Sequence, residues 1–534
     1  MKKAGNDMSP AQQSQITIPV LSPYILAALC GACFALSFPK YGTGFLAWIA
    51  LVPLFLALQT TDSPRRAALL AFIAGMIANI GLLYWISNVI VMYGYLPLYI
   101  GISAMLLMCA ALSAYFSLFA AAVVFLRNRG LSEIVTAPLL WTTLEYLKSH
   151  LFTGFPWENL AYSQYKFLHI IQFTDITGIY GLSFVIILIN ALIYDVITYC
   201  QQERKITTEL AVGGLVFVLI FVYGQFSLHR VSQELKSAPA MEVSLVQGNI
   251  DQSIKWNPQY QDETIDIYNS LSLKNAPTAR GLIVWPETAT PFYFQERFPL
   301  ARSVSQIPPL TSDWLLFGSP RYETEGTNIH FMNSAFLLNP EGEITGKYDK
   351  VHLVPYGEYV PLRNLFPYIN KLVEGIGDFK KGQIIEPLTL SYPYSLGVLI
   401  CYEGIFPEIS RAYRHKGADL LVNITNDAWF GKTSAPYQHL SMTVMRAVEN
   451  RVFLIRAANT GISAIISPSG KIVRQTDLFT RTVLKGSIKF LDRTTIYALY
   501  GDIFVYICFL LLGGMIFNTI KGDITSCWMK LLRR

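Results

Sequence analysis

The sequence predicts two kinds of structure in one chain: a polytopic α-helical membrane domain of about eight spans, and an α/β domain of layered sheets and helices. Three observations predict this. The composition is 52% hydrophobic and only 15% charged, whereas a soluble domain carries about 25% charged residues. The deficit lies in residues 19–228, while 240–490 has an ordinary mixed composition. Strand and helix patterns alternate through the second region but not through the first.

A bilayer core requires about 20 apolar residues in a helix. Segments near 19–38, 42–59, 67–91, 96–126, 131–150, 178–199, 209–227 and 497–520 are expected to span. The fifth carries Glu145 and Lys148 and is the weakest of them. The first follows a polar stretch and has no clear small-residue cleavage site, so it is expected to be retained. The expected organisation is a membrane domain over 1–230 with about seven helices, an exported domain over 240–490, and a C-terminal membrane helix over 497–520. A polar stretch, 232–240, is expected to link the first two.

Lys and Arg set the orientation. They occur at Lys2 and Lys3, Arg65 and Arg66, Arg127 and Arg129, Arg204 and Lys205, and Lys521 through Arg534. The intervening loops hold little beyond Lys40 and Lys166. Both termini are therefore expected in the cytoplasm and the 240–490 domain outside it. The aromatic segment HLFTGFPWENLAYSQYKFLHI allows two readings. It is either an interfacial helix with Trp157, Tyr162 and Tyr165 at headgroup depth, or a loop packed on the exported domain.

In that domain MEVSLVQGNI, GLIVWPE, DWLLFGSPRYE, NSAFLLNPEGEI, YSLGVLICYEG, DLLVNITNDAWF, TGISAIISPSGKIV and VLKGSIKF have the pattern of strands. HLSMTVMRAVENRVFLIRAAN and FPEISRAYRHKG have helical spacing. Asn339 to Gly342 and the turn at Gly470 are expected to close hairpins. The alternation argues for a layered α/β fold around a buried sheet.

Of seven cysteines only Cys401 lies in the exported domain. It has no disulfide partner there, so it is either a buried inert thiol or a used one. LICYEGIFPE places it at a strand end just before a helix start at Pro407, where backbone N–H groups can face a developing charge. VWPETATP places Glu287 after an apolar strand, and YDKVHLVPYGEYVP places Lys350 and Glu358 in a loop after a hairpin. Each alone reads as a surface charge. Together they supply what thiol-based acyl transfer needs: Glu287 to take the thiol proton, Lys350 to stabilise an oxyanion, and Glu358 to hold Lys350 in place.

The ordered set WPE, KVHLVPYGE, CYEG and NITNDAWFG resembles the nitrilase, or carbon–nitrogen hydrolase, superfamily. With seven spans before it and one after, the chain is similar to the bacterial apolipoprotein N-acyltransferase family over nearly its whole length. The resemblance implies an αββα sandwich for 240–490, with Glu287, Lys350 and Cys401 as the catalytic set. Glu358, Tyr402, Glu403 and Trp256 are implied as supporting or substrate-lining residues. The implied reaction moves an acyl chain from a membrane phospholipid, expected to be phosphatidylethanolamine, to the α-amino group of a diacylglyceryl-cysteine on an apolipoprotein. The implied location is the inner membrane of a bacterium, with the catalytic domain on the periplasmic side.

Asn423, Asn426 and Asp427 either shape a pocket or form a turn. His352 and His439 read as structural, and neither a metal nor a cofactor is expected. VPLRNLFPYINKLVEGIGDF is expected to form a lid hinged at Gly375 and Gly377. A net charge of +6 without a basic stripe gives no reason to expect nucleic acid. Two other functions stay open on the residues alone. One is a membrane-tethered amidase. The other is a transporter, against which the charge-free centres of most spans count.

Overall fold

A computed structural model describes residues 21–202, 208–296, 299–359, 379–391 and 393–532. The expected lid and its glycines fall almost wholly outside the described residues.

The amino-terminal half is helical: α1 (Pro23–Leu36), α2 (Val52–Leu58), α3 (Pro64–Leu83), α4 (Trp85–Gly94), α5 (Leu98–Arg127), α6 (Glu133–His150), the short α7 (Leu168–Ile171), α8 (Thr174–Gln202) and α9 (Thr208–Ser237). Among the described residues five helical segments are long and apolar enough to cross a membrane: Pro64–Leu83, Leu98–Arg127, Thr174–Thr198, Leu210–Ser237 and Ile503–Lys521. These match five of the about eight expected spans. At 14 residues α1 is only about 21 Å long, short of the roughly 30 Å hydrocarbon core. The second expected span is split into a 3-10 turn, Gly44–Trp48, and α2, which Pro53 restarts. The third divides at Tyr84, whose hydroxyl accepts from Ser434 N across 3.1 Å.

The charges of α6 have structural work. Glu145 accepts from Leu160 N at 2.7 Å, and Lys148 donates to the Trp157 carbonyl at 3.2 Å. They satisfy backbone groups of the aromatic segment that follows. That segment is packed against the catalytic domain. Trp157, Tyr162 and Tyr165 are buried, Trp157 Nε1 donates to Gln438, and Arg446 donates to the Tyr162 hydroxyl. Of its two readings, the packed loop holds.

The second half forms β1 (Ala240–Gln247), α10 (Gln261–Lys274), β2 (Leu282–Val284), α11 (Pro299–Ser305), α12 (Ile307–Thr311), β3 (Trp314–Glu325), β4 (Asn328–Leu338) and β5 (Ile344–Asp349). It continues through β6 (Leu388–Ser391), β7 (Tyr394–Ile400), α13 (Pro407–His415), β8 (Leu420–Thr425), α14 (Ala435–Asn450), β9 (Phe453–Ala458), β10 (Ala464–Ile466), β11 (Ile472–Gln475) and β12 (Thr482–Lys489). After α15 (Ile496–Tyr500), the chain returns through α16 (Ile503–Leu532).

Two six-stranded sheets have the orders β12-β1-β2-β3-β4-β5 and β11-β10-β9-β8-β7-β6. Strand periodicity assigns the faces. Leu245, Leu282, Val284, Leu316, Ala335 and Leu337 share a core with Val398, Ile400, Val422, Ile424 and Ile455 of the other sheet. Their neighbours Val246, Ile283, Trp285, Leu315, Phe317 and Phe336 point the opposite way, toward Ile265 and Tyr268 of α10. With α13 and α14 against the second sheet, the layers are αββα.

Two expectations about elements change here. The helix expected to run from His439 to Asn459 stops at Asn450, where Arg451 takes φ 52°, and Phe453–Ala458 is a parallel strand beside β8. A strand buried on both faces gives a continuous apolar run without alternation, which is easily joined to a preceding helix. The expected linker is helix: α9 runs to Ser237.

Candidate active site

Glu287 follows β2, Lys350 follows β5, and Cys401 follows β7, so the first two come from one sheet and the thiol from the other. Cys401 holds φ 52°, the left-handed region that a non-glycine residue adopts only under constraint. It begins the 3-10 turn Cys401–Ile405 and is partly exposed.

Lys350 is 1% exposed. Its ammonium lies 2.9 Å from Glu358 Oε2 and 3.8 Å from Glu287 Oε1. Asn333 Nδ2 donates to both carboxylates, to Glu287 at 2.8 Å and to Glu358 at 3.0 Å. The backbone N–H of Asn426 donates to the other Glu287 oxygen at 2.9 Å. Both Glu287 oxygens are thus held, one from each sheet. β3 approaches this corner closely: a Cβ on Gly318 would lie 2.5 Å from Thr288 N and 2.7 Å from Glu287 Cα.

Burial and the Glu287 charge push the Cys401 thiol well up, and Lys350 pulls it back. The sulfur thus holds its proton more tightly than a free thiol does. Burial opposes the charge of Lys350, but Glu358 and Glu287 outweigh it and raise its proton affinity. This arrangement can move a proton from sulfur to carboxylate and present a fixed cation to a developing negative oxygen.

Residues 30–192 match the family described as apolipoprotein N-acyltransferase N-terminal domain, and residues 242–496 match carbon-nitrogen hydrolase. An apolipoprotein N-acyltransferase of Geobacter metallireducens is 46% identical over 91% of this chain and 93% of its own. One of Haemophilus ducreyi is 30% identical over 91% and 95%. A carbon-nitrogen hydrolase structure from Helicobacter pylori has 18% identity and a TM-score of 0.37, covering 50% of this chain and 94% of its own. The chain belongs to the apolipoprotein N-acyltransferase family. It is an acyltransferase.

The other expected site residues of this family member fall in different places. Glu358 is beside Lys350, as expected from their spacing. Glu403 is fully buried. It accepts from Val351 N at 2.7 Å, His352 N at 3.0 Å, the Tyr348 hydroxyl at 2.9 Å and Ile400 N at 2.7 Å. It ties the lysine loop to the cysteine turn. Burial pushes it up to about 7, against the pull of Lys350 and these amides. Tyr402 is buried, its ring edge-on to Phe406. Trp256 is 37% exposed, on the wall of an open cavity of about 530 Å³ with Gln261, Pro291, Phe292 and Tyr293.

Behind Cys401 lies a second polar group. Arg456 donates to Asp427 Oδ2 at 2.7 Å and also binds Asn423 Oδ1, while Asn423 Nδ2 donates to the Cys401 carbonyl at 3.3 Å. His439 Nε2 is 3.2 Å from that carbonyl and Nδ1 is 3.0 Å from Arg456 Nη2. Burial and the Arg456 charge lower the proton affinity of His439 despite Asp427. His439 Nδ1 also lies 3.1 Å from Asp427 Oδ1. Although burial opposes it, Arg456 and His439 hold the Asp427 carboxyl far below the usual range. Asn423 and Asp427 therefore shape the cysteine's seat, Asn426 serves Glu287, and His439 is structural.

Sequence reasoning missed Asn333 and Arg456. An amide in the middle of the apolar run FMNSAFLL was a signal for Asn333, and an arginine inside FLIRAA was one for Arg456.

Proposed function

We propose that the chain transfers an acyl chain from a membrane phospholipid, phosphatidylethanolamine, to the α-amino group of the N-terminal diacylglyceryl-cysteine of apolipoproteins, through a thioester on Cys401. The observation that carries this reading is Glu287 and Lys350 held at 3.8 Å beside a thiol at a strained strand end. Glu287 takes the thiol proton, and sulfur bonds to the ester carbonyl carbon. Lys350 and a backbone N–H after Cys401 balance the oxyanion. The carbon–oxygen bond to glycerol breaks, and lysophospholipid leaves with the proton from Glu287. The neutral lipoprotein amine then attacks the thioester, the carbon–sulfur bond breaks, and the amine proton passes through Glu287 to sulfur. Two steps through a covalent intermediate replace one difficult aminolysis.

The Lys and Arg bias supports an inner-membrane protein with 240–490 on the periplasmic side. Labelling of Cys401 in intact spheroplasts by an impermeant thiol reagent, with the other cysteines replaced, tests the side; labelling only after lysis reverses it.

The decisive experiment for the reaction is intact-protein mass after incubation with phosphatidylethanolamine vesicles. An added acyl mass on Cys401, released by hydroxylamine and passed to a diacylated lipopeptide, is expected. Full transfer by Cys401→Ser with no trapped acyl group overturns the reading, and release of free fatty acid alone makes the enzyme a hydrolase.

A further inference from the structure

Lys255 lies in the turn after β1, next to the exposed Trp256, yet is itself 1% exposed. Its ammonium reaches into the corner where Glu287 sits. It donates to the Glu287 carbonyl oxygen at 3.2 Å and to the Thr288 hydroxyl at 2.6 Å. Both acceptors are uncharged. An ammonium buried against neutral acceptors is costly, so its retention here calls for a compensating role.

Two features of the corner supply one. Thr288 holds φ 46°, a strained conformation for a β-branched residue. Lys255 grips both sides of that peptide. The same turn touches Glu287 again, because Gln252 accepts from the Asn426 side chain at 2.6 Å and Asn426 N donates to Glu287. The charged and titratable groups around the corner are Glu287 after β2, Lys350 and Glu358 after β5, Cys401 after β7 and Asp427 after β8. Those that act on Lys255 most are Glu287 and Cys401, both favouring its charged form.

We propose that Lys255 is a positioning residue for acyl loading: its ammonium fixes the Glu287–Thr288 peptide so that the carboxylate faces Cys401, and it adds a second buried positive charge beside the thiol. Lys350 is already neutralised by Glu358 and shared with Glu287. Lys255 is the cation at the site whose hydrogen bonds go to neutral atoms, so its charge is the less cancelled of the two. Burial brings its proton affinity down to about 8. The ammonium therefore persists at neutral pH and is lost in mildly alkaline solution, where its help to the thiolate ends.

This rests on the reading of Cys401 as the nucleophile, and the test separates the two. In the full-length enzyme, iodoacetamide alkylation of Cys401 is followed against pH by mass spectrometry of its peptide, and acyl loading is measured from phosphatidylethanolamine vesicles. Lys255→Met is expected to slow both alkylation of Cys401 and acyl loading at neutral pH about tenfold, one pH unit being tenfold in thiolate population, and to leave alkylation in mildly alkaline solution, where Lys255 has lost its charge, unchanged. Thr288→Val, which removes one acceptor and keeps the lysine, is expected to slow loading less, in the same direction. An unchanged rate of Cys401 alkylation at neutral pH in folded Lys255→Met overturns the proposal. So does a Lys255→Met chain that fails to fold while Thr288→Val loads at the wild-type rate, since Lys255 is then a structural pin. Failure of the wild-type enzyme to load, with its alkylation profile intact, instead defeats the thioester reading.

Discussion

The two sheets bring opposite kinds of polar network to the same cysteine. On the first, a cation is surrounded by acceptors: Lys350 lies between Glu358 and Glu287, with Asn333 bridging both carboxylates. On the second, an anion is surrounded by donors: Asp427 receives Arg456 and the Thr425 hydroxyl, beside His439, and the outer members of the group hold the Cys401 carbonyl. On the proposed mechanism the first network acts on the sulfur's proton and on charge that develops during reaction, and the second, which bonds the Cys401 carbonyl, acts on where the sulfur is. A fold that divides these tasks between sheets allows them to be damaged separately.

The sharpest test of the division is chemical. Cys401→Ser should reduce acyl loading by about 10⁴-fold or more, with thermal unfolding nearly unchanged. Lys350→Arg should follow with a loss of about 10²–10³, because a planar guanidinium cannot replace a compact ammonium between two carboxylates; near-normal turnover would reduce Lys350 to a local charge. On the other sheet the balance should reverse. Asp427→Asn breaks a fully buried pair and should cost about 3–5 kcal/mol of stability, seen in denaturant unfolding. If instead it left stability intact and abolished loading, the two networks would not be divided as described.

Glu403 belongs to both sides, so Glu403→Gln should produce an intermediate result. Its amide presents an N–H to groups that are themselves donors, at a cost of about 1–3 kcal/mol, and loading should slow as the Lys350 loop shifts. The smallest effect concerns pH. Burial, then the Lys350 charge, pushes His352 down to about 4 from an unfolded value of about 6.5. A depressed histidine contributes stability that is complete above about 6.5 and lost as pH falls through about 4. His352→Phe, which keeps the ring against Phe406 3.8 Å away, should flatten that part of the stability profile. An equal slope in both proteins would assign it to other groups.

Much of this was legible in the sequence, for a physical reason that differs by region. Candidate groups at strand ends sit next to apolar runs and turn residues, so Glu287, Lys350 and Cys401 could be singled out from sequence alone. Hydrogen-bonded partners brought in from other strands leave weaker traces. Lys255 has no local pattern that separates it from a solvated lysine; only the fold carries its ammonium to Thr288. β9 was concealed because its burial on both faces removed the alternation that marks a strand, and β6 because four residues are too few to show one. Span bounds were harder to read where apolar composition continued through a break in the helix, as at Tyr84 and before Pro53.

The join between α9 and β1 has a consequence for the lipid. Only two residues separate Ser237 from Ala240, and Lys489 of β12 donates to the Leu235 carbonyl at 2.5 Å, closing the helix end onto the sheet. A few turns away Arg451 is bonded to Asp175 of α8 at 2.9 Å. These are struts rather than tethers. On the proposed reaction they would set Cys401 at one altitude above the hydrocarbon and leave it little slack to follow an ester that rises or sinks. The bilayer would then have to deliver each carbonyl to a fixed plane, and its thickness would become a setting of the enzyme as real as temperature: lipids too thin or too thick for the struts would tilt the helices or leave the ester out of register with the sulfur.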